Sequence, residues 1–86
     1  MDKSTVQNFI RAKINERIQL MGINSFSPED STDLVREGIF DSLAFIDLIT
    51  NCEHEFATEI NLENYNPREF TTYGKLTEII LESIKK

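Results

Sequence analysis

Apolar residues in this chain fall into three runs at helical spacing, separated by stretches with no sustained period. Val6, Phe9, Ile10, Ile14, Ile18 and Met21 form the first stripe, with Arg11, Lys13, Glu16 and Arg17 around it. Ser4, with Gln7 three residues on, has the form of a capping box at its start. Gly22 falls just past the last stripe residue, where a left-handed cap would end the helix. The second run predicts a helix from about Ser42 to about Phe56, with Phe45, Leu48, Ile49, Cys52 and Phe56 on its core face. In the third, Tyr73, Leu76, Ile79, Ile80 and Ile84 make the buried stripe of a last helix. Thr71 or Thr72 is its expected cap, and Lys85 and Lys86 suit the negative end of its dipole. Gly74 in its first turn costs up to ~1 kcal/mol relative to alanine.

Between these runs the pattern is weaker. Residues 23–40 form a connection longer than most in compact domains, the kind that is functional or holds a short helical piece. Ser27-Pro28-Glu29-Asp30 reads as a cap, a proline at the first helical position and acids in the first turn, so one short turn is expected there. Phe26, Leu34 and Ile39 are the expected anchors of this loop. After the second helix, Ile60 should tuck under its end. Asn66-Pro67-Arg68-Glu69-Phe70 again has a cap, a proline and a glutamate at the third position, which predicts a short helix with Phe70 as its core contact. The expectation is an all-α fold: a small four-helix bundle of three longer helices and one short one, with a long loop between helices one and two.

The most informative stretch is Gly38-Ile39-Phe40-Asp41-Ser42-Leu43. Asp41 is a preferred N-cap residue, and its carboxylate can accept backbone N–H groups one turn in. Ser42 then stands at the first helical position, beside the positive end of the helix dipole. A phosphate on that hydroxyl would sit where helix termini favour anions, by roughly 0.3–1 kcal/mol when exposed. Leu43, Ile46 and Asp47 lie off the core face, toward solvent near the serine. Exposed apolar residues rimmed by acids make a docking surface, unless the core stripe is simply wide.

Composition bounds the picture. Eighty-six residues, 40% apolar and 28% charged, are read as one folded domain spanning 1–86. The formal charge of −6 is unevenly placed: residues 41–60 carry five acids and no lysine or arginine, whereas residues 1–22 carry four bases and two acids. An acidic surface repels nucleic acid and anionic membrane and attracts basic protein patches; it also keeps a small protein soluble. Beside Ser42, partner recognition is the reading taken. No apolar run approaches the roughly 20 residues that span a bilayer, and no signal-peptide pattern opens the chain, so a cytoplasmic monomer is expected.

Catalytic chemistry finds little to work with. A nucleophilic serine needs a base within hydrogen-bond reach, but the one histidine, His54, is roughly 18 Å further along the same helix. There is no Gly-x-Ser-x-Gly elbow and no glycine-rich phosphate loop. Asp30, Asp33 and Glu37 lack the calcium-loop pattern and are read as loop-capping acids, and no metal ligands are assigned. Cys52, on the core face, is read as a small hydrophobe rather than a reactive thiol.

Asp41-Ser42-Leu43, preceded by Gly38 and followed by an acidic amphipathic helix, resembles the prosthetic-group site of acyl carrier proteins. The order of long helix, long loop, serine-bearing helix, short helix and final helix extends the resemblance over essentially the whole chain. It implies that Ser42 carries a 4′-phosphopantetheine arm whose thiol holds an acyl or aminoacyl group as a thioester, in a protein that is not itself an enzyme. Asp41 would help a phosphopantetheinyl transferase to hold Ser42. Leu43, Ile46 and Asp47 would face that transferase, a loading ligase and downstream acyl-using enzymes with basic docking patches. The segment Asn61 to Phe70 is longer than in typical fatty-acid carriers. With Asn51 and His54 in helix two, it brings the chain nearer to stand-alone carriers of specialised biosynthesis. A fatty-acid carrier, a D-alanyl-type carrier and an unmodified helical interaction module remain as alternatives.

Overall fold

The computed structural model describes residues 2–24 and 26–85, the side chains of residues 67 and 68 excepted. Among the described residues the fold is all-helical, with no strand. Three long helices, α1 (Lys3–Leu20), α2 (Ser42–Phe56) and α4 (Tyr73–Lys85), are joined by the loop 21–41, a 3-10 turn at Leu62–Asn64 and a one-turn helix, α3 (Pro67–Phe70). The charge expected of Lys86 at the end of α4 lies outside the described residues.

Each long helix buries the stripe that its period dictates. Val6, Ile10, Ile14 and Ile18 of α1 meet Phe45, Leu48, Ile49, Cys52 and Phe56 of α2 and Tyr73, Leu76, Ile79 and Ile80 of α4 in one core. Phe9 packs edge-on against Phe56, with ring centroids 5.4 Å apart. Phe70 of α3 stacks on Phe45 at 5.8 Å, as its expected core role requires. Ile84 is only half-buried, and Met21 is 44% exposed rather than part of the α1 stripe. The chain has already turned at Met21. The amides of Gly22 and Ile23 donate back to the carbonyls of Gln19 and Ile18 (3.1 and 2.9 Å), with Gly22 at φ +79°, a Schellman ending that swings Met21 out of the stripe.

The caps differ from expectation in instructive ways. α1 is capped by Asp2, not Ser4: its carboxylate accepts both the amide (2.9 Å) and the hydroxyl (2.8 Å) of Thr5. Two bonds to an ionised acceptor outcompete one serine hydroxyl. The start of α4 is not closed by a threonine side chain either, since the Thr72 hydroxyl donates backwards to the Glu69 carbonyl (2.9 Å). Instead the first two amides of α4, Tyr73 and Gly74, donate to the carbonyls of Thr32 and Asp30 in the long loop (2.8 and 2.9 Å). Gly74 is therefore more than a helix-weakening residue. A Cβ there would lie 2.8 Å from the Asp30 Cβ and 2.9 Å from its carbonyl oxygen, closer than atoms can approach.

That junction holds the long loop. Leu34 donates its amide to the Thr71 carbonyl (2.9 Å), and the Thr71 hydroxyl donates to Asp33 Oδ2 (3.0 Å). Asp33 Oδ1 accepts the amides of Val35 and Arg36, so it does cap the loop, whereas Asp30 contributes its carbonyl. The turn expected from Ser27 sits later, at Glu29–Thr32, where amide and hydroxyl bonds close it. Leu34 and Ile39 are buried and Phe26 packs at the core's edge. Burying one leucine contributes roughly 1.5–3 kcal/mol, against about 1–2 kcal/mol to order each residue's backbone. Apolar anchors alone therefore do not hold this loop, and its bonds to α4 are needed as well.

Candidate functional site

The site is built where the loop runs into α2. The Leu34 carbonyl accepts the amides of both Ile39 and Phe40 (3.1 Å each), and Gly38 turns the chain at φ +80°, a conformation costly for any residue with a Cβ. Phe40 is then driven into the core (4% exposed) and Asp41 emerges at the surface. Asp41 is extended (φ −82°, ψ −179°), and its Oδ1 accepts the Ala44 amide at 2.8 Å, the expected cap. The Phe45 amide takes the Asp41 carbonyl. Of the four N–H groups that a helix start leaves unpaired, those of Ser42 and Leu43 remain without a carbonyl in the helix. Ser42, the first residue of α2, is exposed between them and the cap.

Arg17 of α1 reaches this junction, a role not visible in the sequence. Its Nε donates to the Ile39 carbonyl at 2.9 Å, and its Nη2 lies 3.7 Å from Asp41 Oδ2. With Asp41 largely in solvent, the ion pair contributes at most about 1 kcal/mol. The charge-assisted bond to a main-chain carbonyl is the firmer hold, and it ties the end of the loop to α1. The partners are more than 20 residues apart in the chain, so no local pattern announces the contact. Phe40 is the other residue that sequence reasoning missed, since it stands alone between periodic segments.

On the outer face of α2, Leu43 is 80% exposed and Ile46 55% exposed, and Asp47 is exposed beside them. The stripe is therefore narrow, and these two apolar side chains face water. His54 is exposed on the last turns of the same helix, away from Ser42. Cys52 is buried, and burial pushes its thiol up to about 12, so it is neutral at any physiological pH. Among the described residues no three of His, Cys, Asp and Glu come together to hold a metal ion.

A family model described as "phosphopantetheine attachment site" matches residues 8–80, which takes in most of α1, the loop, α2, α3 and the first part of α4. Comparison with curated proteins and with solved structures returned no match. Domains of this kind are in general non-catalytic carriers, acted on by phosphopantetheinyl transferases and acyl-handling enzymes. Among the described residues no helix is long and apolar enough to cross a membrane. With the match covering well over half of its length, the chain belongs to the acyl carrier protein family, whose domain is the attachment site of covalently bound 4′-phosphopantetheine.

Proposed function

We propose that Ser42 is the attachment residue and that the protein carries an acyl or aminoacyl group for a specialised biosynthetic pathway. The observation that carries this reading is the exposed Ser42 hydroxyl at the first position of a capped helix. The residues there fit the group. A phosphodiester on Ser42 Oγ meets the positive end of α2 and the free amides of Ser42 and Leu43, and no side chain covers it. In the attachment step Ser42 Oγ bonds to the pantetheine-side phosphorus of coenzyme A. The bond from that phosphorus to the bridging oxygen breaks, 3′,5′-ADP leaves, and the serine proton passes to a base of the transferase. Once in place, the arm supplies a thiol that holds the cargo as a thioester.

Asp41 helps the transferase to hold the serine, and Leu43, Ile46 and Asp47 meet the transferase, the loading ligase and the acyl-using enzymes. Weak, salt-sensitive contacts suit a surface that must release each partner in turn. In this reading the chain is one cytoplasmic, monomeric carrier domain, and α3 is the short fourth helix of a four-helix bundle. The length of the segment from Asn61 to Phe70 supports a specialised carrier over a fatty-acid one. Incubation with a broad-specificity transferase and coenzyme A, followed by intact mass measurement, tests the proposal. The wild-type chain gains one phosphopantetheinyl group and Ser42→Ala gains none. An unmodified wild-type chain would instead favour a helical interaction module.

A further inference from the structure

A second surface adjoins the serine. Between α1 and α2 lies an open cleft of about 170 Å³. Leu20 forms its outer wall, and Phe40, Ala44 and Leu48 form its apolar floor. Pockets that bury small molecules run to about 300–1,000 Å³, so this one suits a protein side chain rather than a free ligand. Its lining is mixed: Lys13, Glu16, Arg17, Asp47 and Asn51 surround the apolar residues. Leu20 is 80% exposed, and Met21 and Ile23, which follow it in the chain, are 44% and 36% exposed.

Charge narrows the occupant. Lys13, on the cleft, lies 3.3 Å from Glu16, and Arg17 is held by the Ile39 carbonyl and Asp41. Both cations are thus already answered from within the chain. Asp47, also on the cleft, takes part in no ion pair among the described residues. What is left over is an apolar notch with a carboxylate outside any ion pair on its rim, and its complement is a bulky apolar side chain near a lysine or arginine. Phe40 and Ala44, which line the notch, bracket Asp41, Ser42 and Leu43 in the chain. The cleft therefore adjoins the start of α2, where an enzyme acting on Ser42 must dock.

We infer that the transferase acting on Ser42 grips α1 as well as α2, seating an apolar side chain between Leu20, Phe40 and Leu48 and a basic one on Asp47. This rests on Ser42 being the attachment residue. The test measures arm transfer from coenzyme A by a broad-specificity phosphopantetheinyl transferase. Leu20→Asn, at a solvent-facing position, keeps the fold and lowers kcat/KM about tenfold through KM, with kcat within about twofold. Asp47→Lys lowers it similarly, and Glu63→Lys, on the distant 3-10 turn, leaves it unchanged. In parallel, the Ser42→Ala protein is titrated with the transferase, and amide shifts move at Lys13, Leu20 and Met21 as well as on α2. Unchanged kinetics for Leu20→Asn, or shifts confined to α2, overturn the α1 contact while leaving Ser42 as the attachment residue. A wild-type chain that takes no arm overturns both.

Discussion

The two ends of α2 are built to opposite specifications. At its start, one carboxylate caps one amide, the amides of Ser42 and Leu43 are among those left over, and Ser42, Leu43, Ile46 and Asp47 face water. Its end is tied back to the body of the protein. Ala57 adopts the left-handed conformation (φ 50°), and Ala57 and Thr58 both donate their amides to the Glu53 carbonyl. The Glu53 carboxylate accepts the Ile60 amide (2.8 Å), the Thr58 hydroxyl donates to the Ser83 carbonyl (2.9 Å), and Ile60 is buried. One end spends its hydrogen-bonding capacity on stability, and the other keeps it accessible. With Ser42 as the proposed attachment residue, this division lets partners reach the serine without loosening the helix that presents it.

Perturbing the loop should affect the open end far more than the closed one. Gly74→Ala forces Asp30 away from α4 and should cost about 1–3 kcal/mol, the usual range for overpacking. Hydrogen exchange should then speed up at Leu34, Ile39 and Phe40, with Thr58 and Ile60 changed only by the global loss. Next in size is Asp41→Ala, which removes the α2 cap and should cost ~1 kcal/mol in chemical denaturation. Ala57→Gly works at the other end and in the opposite direction. It relieves a left-handed alanine and should stabilise the protein by roughly 0.5–1 kcal/mol, the strain relief being partly offset by glycine's freedom in the unfolded chain.

The smallest effect at neutral pH is that of Cys52. Its thiol keeps its proton in the folded state up to about 12, whereas in the unfolded chain it titrates near its ordinary value of 9.0. The unfolded state therefore binds fewer protons above that value. The contribution is complete below pH 9 and is lost as pH rises from there toward 12. A disulfide reagent at pH 8 should find no reactive thiol in the folded, unmodified chain and one after denaturation. A fast-reacting thiol in the native state would show that Cys52 is not shielded.

Much of this was legible in the sequence where a single period governs. The bounds and core face of α2 follow from five apolar residues at helical spacing, and Asp41 precedes them with the right chemistry. What escaped was non-local. Asp2 outbids Ser4 because Thr5 gives it two bonds, and Thr72 leaves the start of α4 to carbonyls some 40 residues upstream. Gly74 matters because of Asp30, and Arg17 because of Ile39. None of these pairings leaves a trace in local spacing. The cap and exposure of the candidate site lie in consecutive residues, Asp41 to Leu43, and were legible; the supports behind it are made by tertiary contacts.

The claim that Ser42 bears the arm is tested most directly by locating the added mass. After transfer from coenzyme A, proteolysis and fragmentation should place the whole phosphopantetheinyl group on Ser42, in the peptide that also contains Asp41 and Leu43. An arm found on any other residue, or no arm at all, would contradict the account.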